Sequence, residues 1–162
     1  MLESRFFELP RDNEDLARTI RGIEVFGGGD EPEDGLEALA YAMESEWNTD
    51  GVRNGGMKNR QIIVMWTDAS AHELGFGAKS PYYPKNMPKN FMDLTDMWYN
   101  EQMECMSFQS KRLLLYAPEH TSGWDEIARE WDNVIYYPSN AGEGLQETSY
   151  DLIIAQIANS VG

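Results

Sequence analysis

Apolar residues recur along the chain with the spacings of buried strands and of helices packed on one face. RQIIVMWTD at residues 60–68 and KRLLLYAP at residues 111–118 each contain a continuous apolar run, which is typical of a strand buried on both faces of a parallel sheet. We expect residues 60–68 to form the central strand. Shorter strands are predicted at SRFFELP, residues 4–10, which ends at Pro10, and from Val134 to Tyr137.

Between these strands, apolar residues are spaced by three and four positions, as on the buried face of a helix. This spacing predicts helices marked by Leu16, Ile20 and Ile23; by Leu36, Leu39, Ala40, Met43 and Trp47 over residues 32–47; by Phe91, Leu94 and Trp98; by Trp124, Ile127, Ala128 and Trp131; and by Leu145, Leu152, Ile153 and Ile157. The order β-α-α-β-α-β-α-β-α predicts a single domain over residues 1–162, with a three-layer α/β sheet and right-handed crossovers. The segment from Ala69 to Pro88 is predicted to be a long loop, and loops of this length are usually functional or mobile.

The chain carries a strong excess of negative charge. Twenty-eight Asp and Glu residues against thirteen Lys and Arg residues give a formal charge of −15, which repels nucleic acid and anionic membrane surfaces. Cations and basic protein surfaces are the more natural partners. Cys105 is the single cysteine, which excludes an intrachain disulfide and a zinc site of the thiolate type. No stretch has the pattern of an export signal or a membrane span, so we expect a cytoplasmic protein.

An acidic turn lies in VFGGGDEPEDGLEAL, residues 25–39, where three glycines precede four carboxylates. Glycine turns before helices bind phosphate through converging backbone N–H groups, but no Lys or Arg occurs at residues 24–50 to offset the repulsion from these carboxylates. Helix capping is one explanation, because Asp30 and Glu33 have the D-x-x-E capping spacing. A carboxylate held on a glycine turn is also what a hard divalent cation such as Mg²⁺ needs.

A second candidate for the functional site is the turn Thr67-Asp68-Ala69-Ser70, which follows the apolar run of the strand predicted over residues 60–68. Ligands of open α/β sheets bind beyond the carboxyl ends of the strands, and the turn that holds Asp30 enters its helix at the same edge. We therefore predict that Asp30 and Asp68 lie next to each other. Because two carboxylates repel each other, either both sit apart in solvent or a cation joins them.

These motifs, taken in order, resemble a known family. GGGDEPEDGLEAL, followed by IIVMWTDASAHELG, LLLYAP and NVIYYPS, is similar to the bacterial branch of the von Willebrand factor A domains along nearly the whole chain. The resemblance implies a Rossmann-like, mostly parallel open sheet and a metal-ion-dependent adhesion site that binds protein partners without catalysis. Such a site holds Mg²⁺ or Mn²⁺ on three loops, and an acidic residue of the partner usually completes the coordination. Asp30 falls within the second loop, and Asp68 matches the third.

The first loop of that family's metal site, Asp-x-Ser-x-Ser, is absent from the sequence. The resemblance implies that the chain begins at the family's third, edge strand, so that the first strand, the first helix and the second strand are missing. In the family's strand order, this removes the two strands between residues 4–9 and residues 61–67. We therefore expect a partial or degenerate metal site. The missing strands leave three explanations open: a truncated start of the sequence, a partner chain that fills the gap, or strand exchange between copies in a homo-oligomer, which we favour.

Four further residues near the TDAS turn are candidates for partner contacts: Ser70, His72, Tyr82 and Tyr83. A Ser-His-Asp triad is disfavoured, because the two histidines lie in unrelated loops and Ser70 has no evident base.

Three functions are compatible with these residues. The first is a non-enzymatic protein-protein interaction module of the von Willebrand A type with a partial metal site. The alternative is an Mg²⁺-dependent hydrolase or phosphatase of a Rossmann-like fold, in which Asp68 or Asp30 acts as nucleophile or metal ligand. The absence of Lys or Arg beside the acidic turn argues against phosphoryl transfer. The third is a structural remnant with neither metal nor partner.

Overall fold

The computed structural model describes residues 4–24, 31–48, 59–100, 106–140 and 149–161. The chain separates into two compact units, Met1–Asp30 and Glu31–Gly162, which are considered in turn. Asp30, Cys105 and Leu145 lie outside the described residues.

The first unit contains helix α1 (Asn13–Arg21), but the strand predicted over residues 4–10 is wrong. Its backbone bonds locally instead of along a sheet: the Asp12 N–H donates to the Glu8 carbonyl at 2.8 Å, and the Glu8 N–H donates to Asp12 Oδ2 at 3.0 Å. Arg5 and Arg11 both pair with the Asp12 carboxylate and hold its pKa well below the usual range. The segment SRFFELP therefore leads into a charged turn rather than forming a strand, and the expected strand exchange between copies stays a prediction.

The second unit holds the sheet and the remaining helices of the described chain. Its elements are α2 (Gly35–Met43), β1 (Gln61–Trp66), α3 (Phe91–Tyr99), β2 (Lys111–Pro118), α4 (Trp124–Glu130), β3 (Val134–Ser139) and α5 (Tyr150–Val161). The described strands form one parallel sheet in the order β1-β2-β3, with Ile63 opposite Leu113 and Leu113 opposite Val134. This confirms an α/β architecture with a parallel open sheet, which is consistent with a Rossmann-like fold.

The position of β1 differs from the prediction. Within the described sheet β2 is the central strand, and β1 lies at one edge. Leu113 to Ala117 of β2 are buried without interruption, whereas burial along β1 alternates and Trp66 is 47% exposed. Continuous apolar runs occur in both strands, so the pattern alone could not distinguish the centre from the edge.

Helix α2 is shorter than the helix predicted over residues 32–47. Its inward face is as expected, since Leu36, Leu39, Ala40 and Met43 are all buried. The residues before Gly35 pair with another segment, as described below, and so are not available to the helix.

The sheet lies between two layers of helices. Trp98 of α3, Ile127 of α4 and residues of α2 pack with Leu115 in one apolar cluster. On the opposite face, Ile153 of α5 packs with Leu114 in a second cluster. Because successive strand residues point to opposite faces, Leu114 and Leu115 serve different layers. The three-layer arrangement is therefore as predicted.

Two buried polar side chains lie where β1 and β2 begin. Gln61 donates from Nε2 to the Asn48 carbonyl at 3.0 Å, and its Oε1 accepts from the Ser107 N–H at 2.6 Å. Lys111 donates from Nζ to the Trp98 carbonyl, and the same Nζ lies 4.5 Å from the centroid of the Trp98 ring. These side chains hold the amino edge of the sheet to the surrounding loops.

The longest helix in the described ranges, α5, has 12 residues. None of the helices in those ranges combines the length and the apolar character that crossing a bilayer requires.

Candidate functional site

A fixed turn follows β1 at the carboxyl edge of the sheet. The Thr67 N–H donates to the Tyr116 carbonyl at 3.0 Å, which continues the ladder one residue beyond β1. Thr67 Oγ1 accepts from the Ala69 N–H at 3.2 Å, and the buried indole N–H of Trp124 donates to the Ala69 carbonyl at 3.0 Å. The turn that carries Asp68 is therefore held by its own backbone and by α4.

The acidic segment before α2 pairs with the residues after this turn. The Glu33 N–H donates to the Ser70 carbonyl at 2.9 Å, and the His72 N–H donates to the Glu33 carbonyl at 2.8 Å. These two bonds form an isolated parallel bridge between Glu33 and Ala71. The backbone thus places the first turn of α2 beside the end of β1.

Side chains reinforce the same bridge on both sides. Glu31 Oε1 accepts from the Ser70 N–H at 3.2 Å and from Ser70 Oγ at 3.4 Å. On the other side, His72 Nδ1 lies 3.1 Å from Asp34 Oδ1, and the imidazole stacks on Phe76 with centroids 4.0 Å apart. Two carboxylates of the acidic turn are therefore already engaged by the loop that follows Asp68.

Of the two predicted metal ligands, the structure describes Asp68 but not Asp30. Asp68 is exposed, and within the described ranges its carboxylate has no hydrogen-bond or ion-pair partner. Asp30 is outside the described residues, so the expected Asp30–Asp68 pair stays a prediction. Glu31, the next residue along the chain, contacts Ser70, two residues from Asp68.

The loop that continues from the bridge is attached to α2 through one buried carboxylate. Glu37 is 2% exposed, and its Oε1 accepts from the Gly75 N–H at 3.0 Å and from the Tyr83 hydroxyl at 2.9 Å. Burial and this hydrogen bond raise the pKa of Tyr83 to about 12. Tyr82, by contrast, is 92% exposed. Of the two predicted contact tyrosines, Tyr83 anchors the loop and Tyr82 faces solvent.

A cavity of about 310 Å³ opens beside the Glu33–Ala71 bridge. Its lining includes residues from the starts of three helices, α2, α3 and α4. Its walls combine apolar side chains with a polar rim, and the residues that supply them are Leu36, Leu74, Phe91, His72, Lys89 and Glu126. Concave sites of this mixed character at the carboxyl edge of a parallel sheet are where ligands of α/β proteins bind.

The rim of this edge is acidic. Glu31, Glu33, Asp34, Asp68 and Glu73 are all exposed around the bridge and its turn. In the part of the chain that the structure describes, no three His, Cys, Asp or Glu side chains converge in a group that could hold a metal ion.

Comparison with known proteins identifies no relative: no protein-family model, curated protein or solved structure matches the chain.

Three residues that build the site were not singled out by the sequence pattern, namely Glu31, Asp34 and Glu37. Glu31 and Asp34 belong to the acidic turn, where composition alone does not say which carboxylate meets which loop. Glu37 stands between the buried residues Leu36 and Leu39 of α2, but carboxylates beside an apolar stripe are mostly exposed, so this spacing gives no signal of its burial.

Proposed function

We propose that this chain is a non-enzymatic interaction module of the von Willebrand factor A type, which binds a protein partner at the carboxyl edge of its sheet. The observation that supports this most is the Glu33–Ala71 bridge, because it joins the acidic turn to the TDAS turn at the end of β1. These two loops are the ones in which the resemblance puts metal ligands. The same bridge borders the cavity in which a partner side chain can be anchored.

Asp68 is the ligand on which the proposal depends. Its exposed carboxylate has no partner within the described chain, unlike Glu31 and Asp34, which are engaged by Ser70 and His72. A free carboxylate among other carboxylates is the group most available to Mg²⁺ or Mn²⁺. We propose that Asp68 and Asp30 hold this ion and that an acidic residue of the partner completes its coordination.

Charge makes this proposal testable. An acidic partner is repelled by the five exposed carboxylates of the rim unless a cation lies between them. Binding of an acidic peptide should therefore require Mg²⁺ or Mn²⁺ and should be abolished by a chelator. A basic peptide that binds equally well without metal would show direct electrostatic recognition and would contradict the metal-dependent mechanism.

Thermal unfolding supplies the first experiment. Because an ion that binds only the native state stabilises it by mass action, Mn²⁺ at about ten times its Kd should raise the free energy of unfolding by roughly 1.4 kcal/mol. Asp68→Ala should remove that rise. Asp96→Ala, at an exposed position of α3, is the matched control and should keep it. An equal rise in all three proteins would show that the ion binds elsewhere.

Catalysis is tested on the same proteins. The interaction module should not hydrolyse p-nitrophenyl phosphate with Mg²⁺ present. Turnover that is lost in Asp68→Ala and retained in Asp96→Ala would replace this proposal with the hydrolase. A cytoplasmic location is part of the proposal and can be tested by cell fractionation.

A further inference from the structure

A second cavity, of about 230 Å³, lies on the face of the sheet that α5 covers. Arg112 shares this face with Leu114, because alternate residues of a strand point the same way, and Leu114 packs in the cluster that contains Ile153 of α5. Arg60 precedes β1 and lines the same cavity. The cavity therefore lies at the amino end of the sheet, whereas the Glu33–Ala71 bridge lies at the carboxyl end.

Two arginines in one cavity are unexpected in a chain of net charge −15. Four arginines outside this cavity contact carboxylates: Arg5, Arg11, Arg18 and Arg129. Arg112 instead donates to neutral oxygens, the Lys111 carbonyl at 2.6 Å and Asn133 Oδ1 at 3.0 Å. Both of these bonds use Nη1, so the guanidinium keeps further N–H donors for another acceptor.

The rest of the lining supplies polar groups that suit the same acceptor. Four residues add hydroxyl or amide groups: Tyr137, Gln156, Asn159 and Ser160. Gln156 is held in place, because its Oε1 accepts from the Tyr116 hydroxyl at 2.5 Å. A fixed amide and two guanidinium groups form a site that favours a planar or tetrahedral oxyanion.

The size of the cavity limits the ligand. Cavities that enclose drug-sized ligands have volumes of roughly 300–1,000 Å³, and this one is smaller, at about 230 Å³. Ile135 provides an apolar wall that can contact a few carbon atoms. The space is thus suited to a small anionic molecule rather than to a nucleotide or a folded partner.

We propose that the cavity between the sheet and α5, lined by Arg60 and Arg112, binds the phosphate or carboxylate group of a small ligand. The two guanidinium groups hold the oxyanion, and the amide and hydroxyl groups of α5 orient it. This site is separate from the proposed metal site and does not depend on it.

To test this, the whole chain is titrated with inorganic phosphate and, separately, with acetate. Binding is measured by isothermal titration calorimetry and by thermal unfolding. Sodium chloride at matched ionic strength controls for screening. At least one anion should bind, and Arg112→Gln and Arg60→Gln should each weaken its Kd by about tenfold. Arg129→Gln, which removes an exposed arginine of α4, should leave the Kd unchanged.

Comparison among the variants distinguishes a site from a general salt effect. Phosphate stabilises many proteins because it is excluded from their surfaces, and this stabilisation would be equal in all four proteins. Equal responses in wild type, Arg60→Gln and Arg112→Gln would therefore overturn the proposal, as would the absence of binding by both anions. Should Arg112→Gln fail to fold, Arg60→Gln decides the outcome. Metal binding by Asp68 has no bearing on either result.

Discussion

Gly35 lies so close to the indole ring of Trp124 that a Cβ atom at position 35 would stand 2.5 Å from ring atom Cζ2. This contact brings the first residue of α2 against the first residue of α4. The same indole donates its N–H to the Ala69 carbonyl, so one side chain joins both helices to the turn that carries Asp68.

Replacing this glycine with alanine should destabilise the protein. Gly→Ala in a helix normally stabilises by up to about 1 kcal/mol, but here the added methyl group must displace a buried ring. Overpacking of this kind costs about 1–3 kcal/mol, so we expect Gly35→Ala to lower the free energy of unfolding by that amount in urea denaturation. A gain in stability would show that the ring is not in contact with residue 35.

A double-mutant cycle provides the control. Trp124→Phe removes the part of the side chain that reaches Gly35. Gly35→Ala should therefore cost less in the Trp124→Phe protein than in wild type. Equal costs in the two backgrounds would mean that the penalty arises elsewhere.

The two neighbouring tyrosines of the long loop give a matched pair of variants. Tyr83 donates its hydroxyl proton to buried Glu37, whereas Tyr82 is 92% exposed. Tyr83→Phe should lower the free energy of unfolding by about 1–2 kcal/mol, because a hydrogen bond to a buried carboxylate is lost. Tyr82→Phe should change it by less than about 0.5 kcal/mol. Chemical denaturation of the two variants side by side measures the difference, and equal effects would contradict the anchoring role of Tyr83.

Stability should fall at alkaline pH, in part through Tyr83. Its pKa in the folded protein is about 12, raised by burial and by the bond to Glu37, from about 10 in an unfolded chain. Between these values the folded state holds a proton that the unfolded state has released. The stabilisation is therefore complete below pH 10 and is lost as the pH rises towards 12.

Tyr83→Phe should flatten this alkaline loss, as measured by urea unfolding at a series of pH values. The flattening should be partial, because burial also raises the pKa of Tyr136 to about 12. Ultraviolet titration should show one tyrosine fewer ionising in that range. An unchanged pH profile would mean that Tyr83 does not titrate differently on folding.

Gln61 gives a prediction at the opposite edge of the sheet. It is 2% exposed and satisfies the Asn48 carbonyl and the Ser107 N–H. Gln61→Ala leaves both of these groups without their partner and should lower the free energy of unfolding by about 2–4 kcal/mol. Gln109→Ala, at an exposed position, should be close to neutral in the same assay. A Gln61→Ala protein as stable as wild type would show that water replaces both bonds.

Patterns that reflect burial predicted most of the second unit. The apolar runs in β2 and β3 and the three- and four-residue spacings of α3 and α4 identify these elements from local sequence alone. Glu37 was missed because its burial depends on Gly75 and Tyr83, which are distant in sequence.

The sequence was less informative about backbone pairing between segments of the chain. Residues 4–10 were predicted to form a strand that ends at Pro10, yet the backbone bonds of Glu8 and Asp12 are made within a turn. The edge position of β1 likewise follows from its neighbours in the described sheet rather than from its composition. The Glu33–Ala71 bridge joins segments nearly forty residues apart, and no local spacing indicates such a pairing.

That bridge has a mechanical consequence. Glu33 directly precedes the N-cap residue of α2, and His72 directly precedes the loop that Glu37 of the same helix holds. Any ligand that draws the Asp68 turn outward must strain two backbone bonds that lead straight into α2. Occupancy at the carboxyl end of β1 would thus act mechanically on the start of α2, through these two bonds.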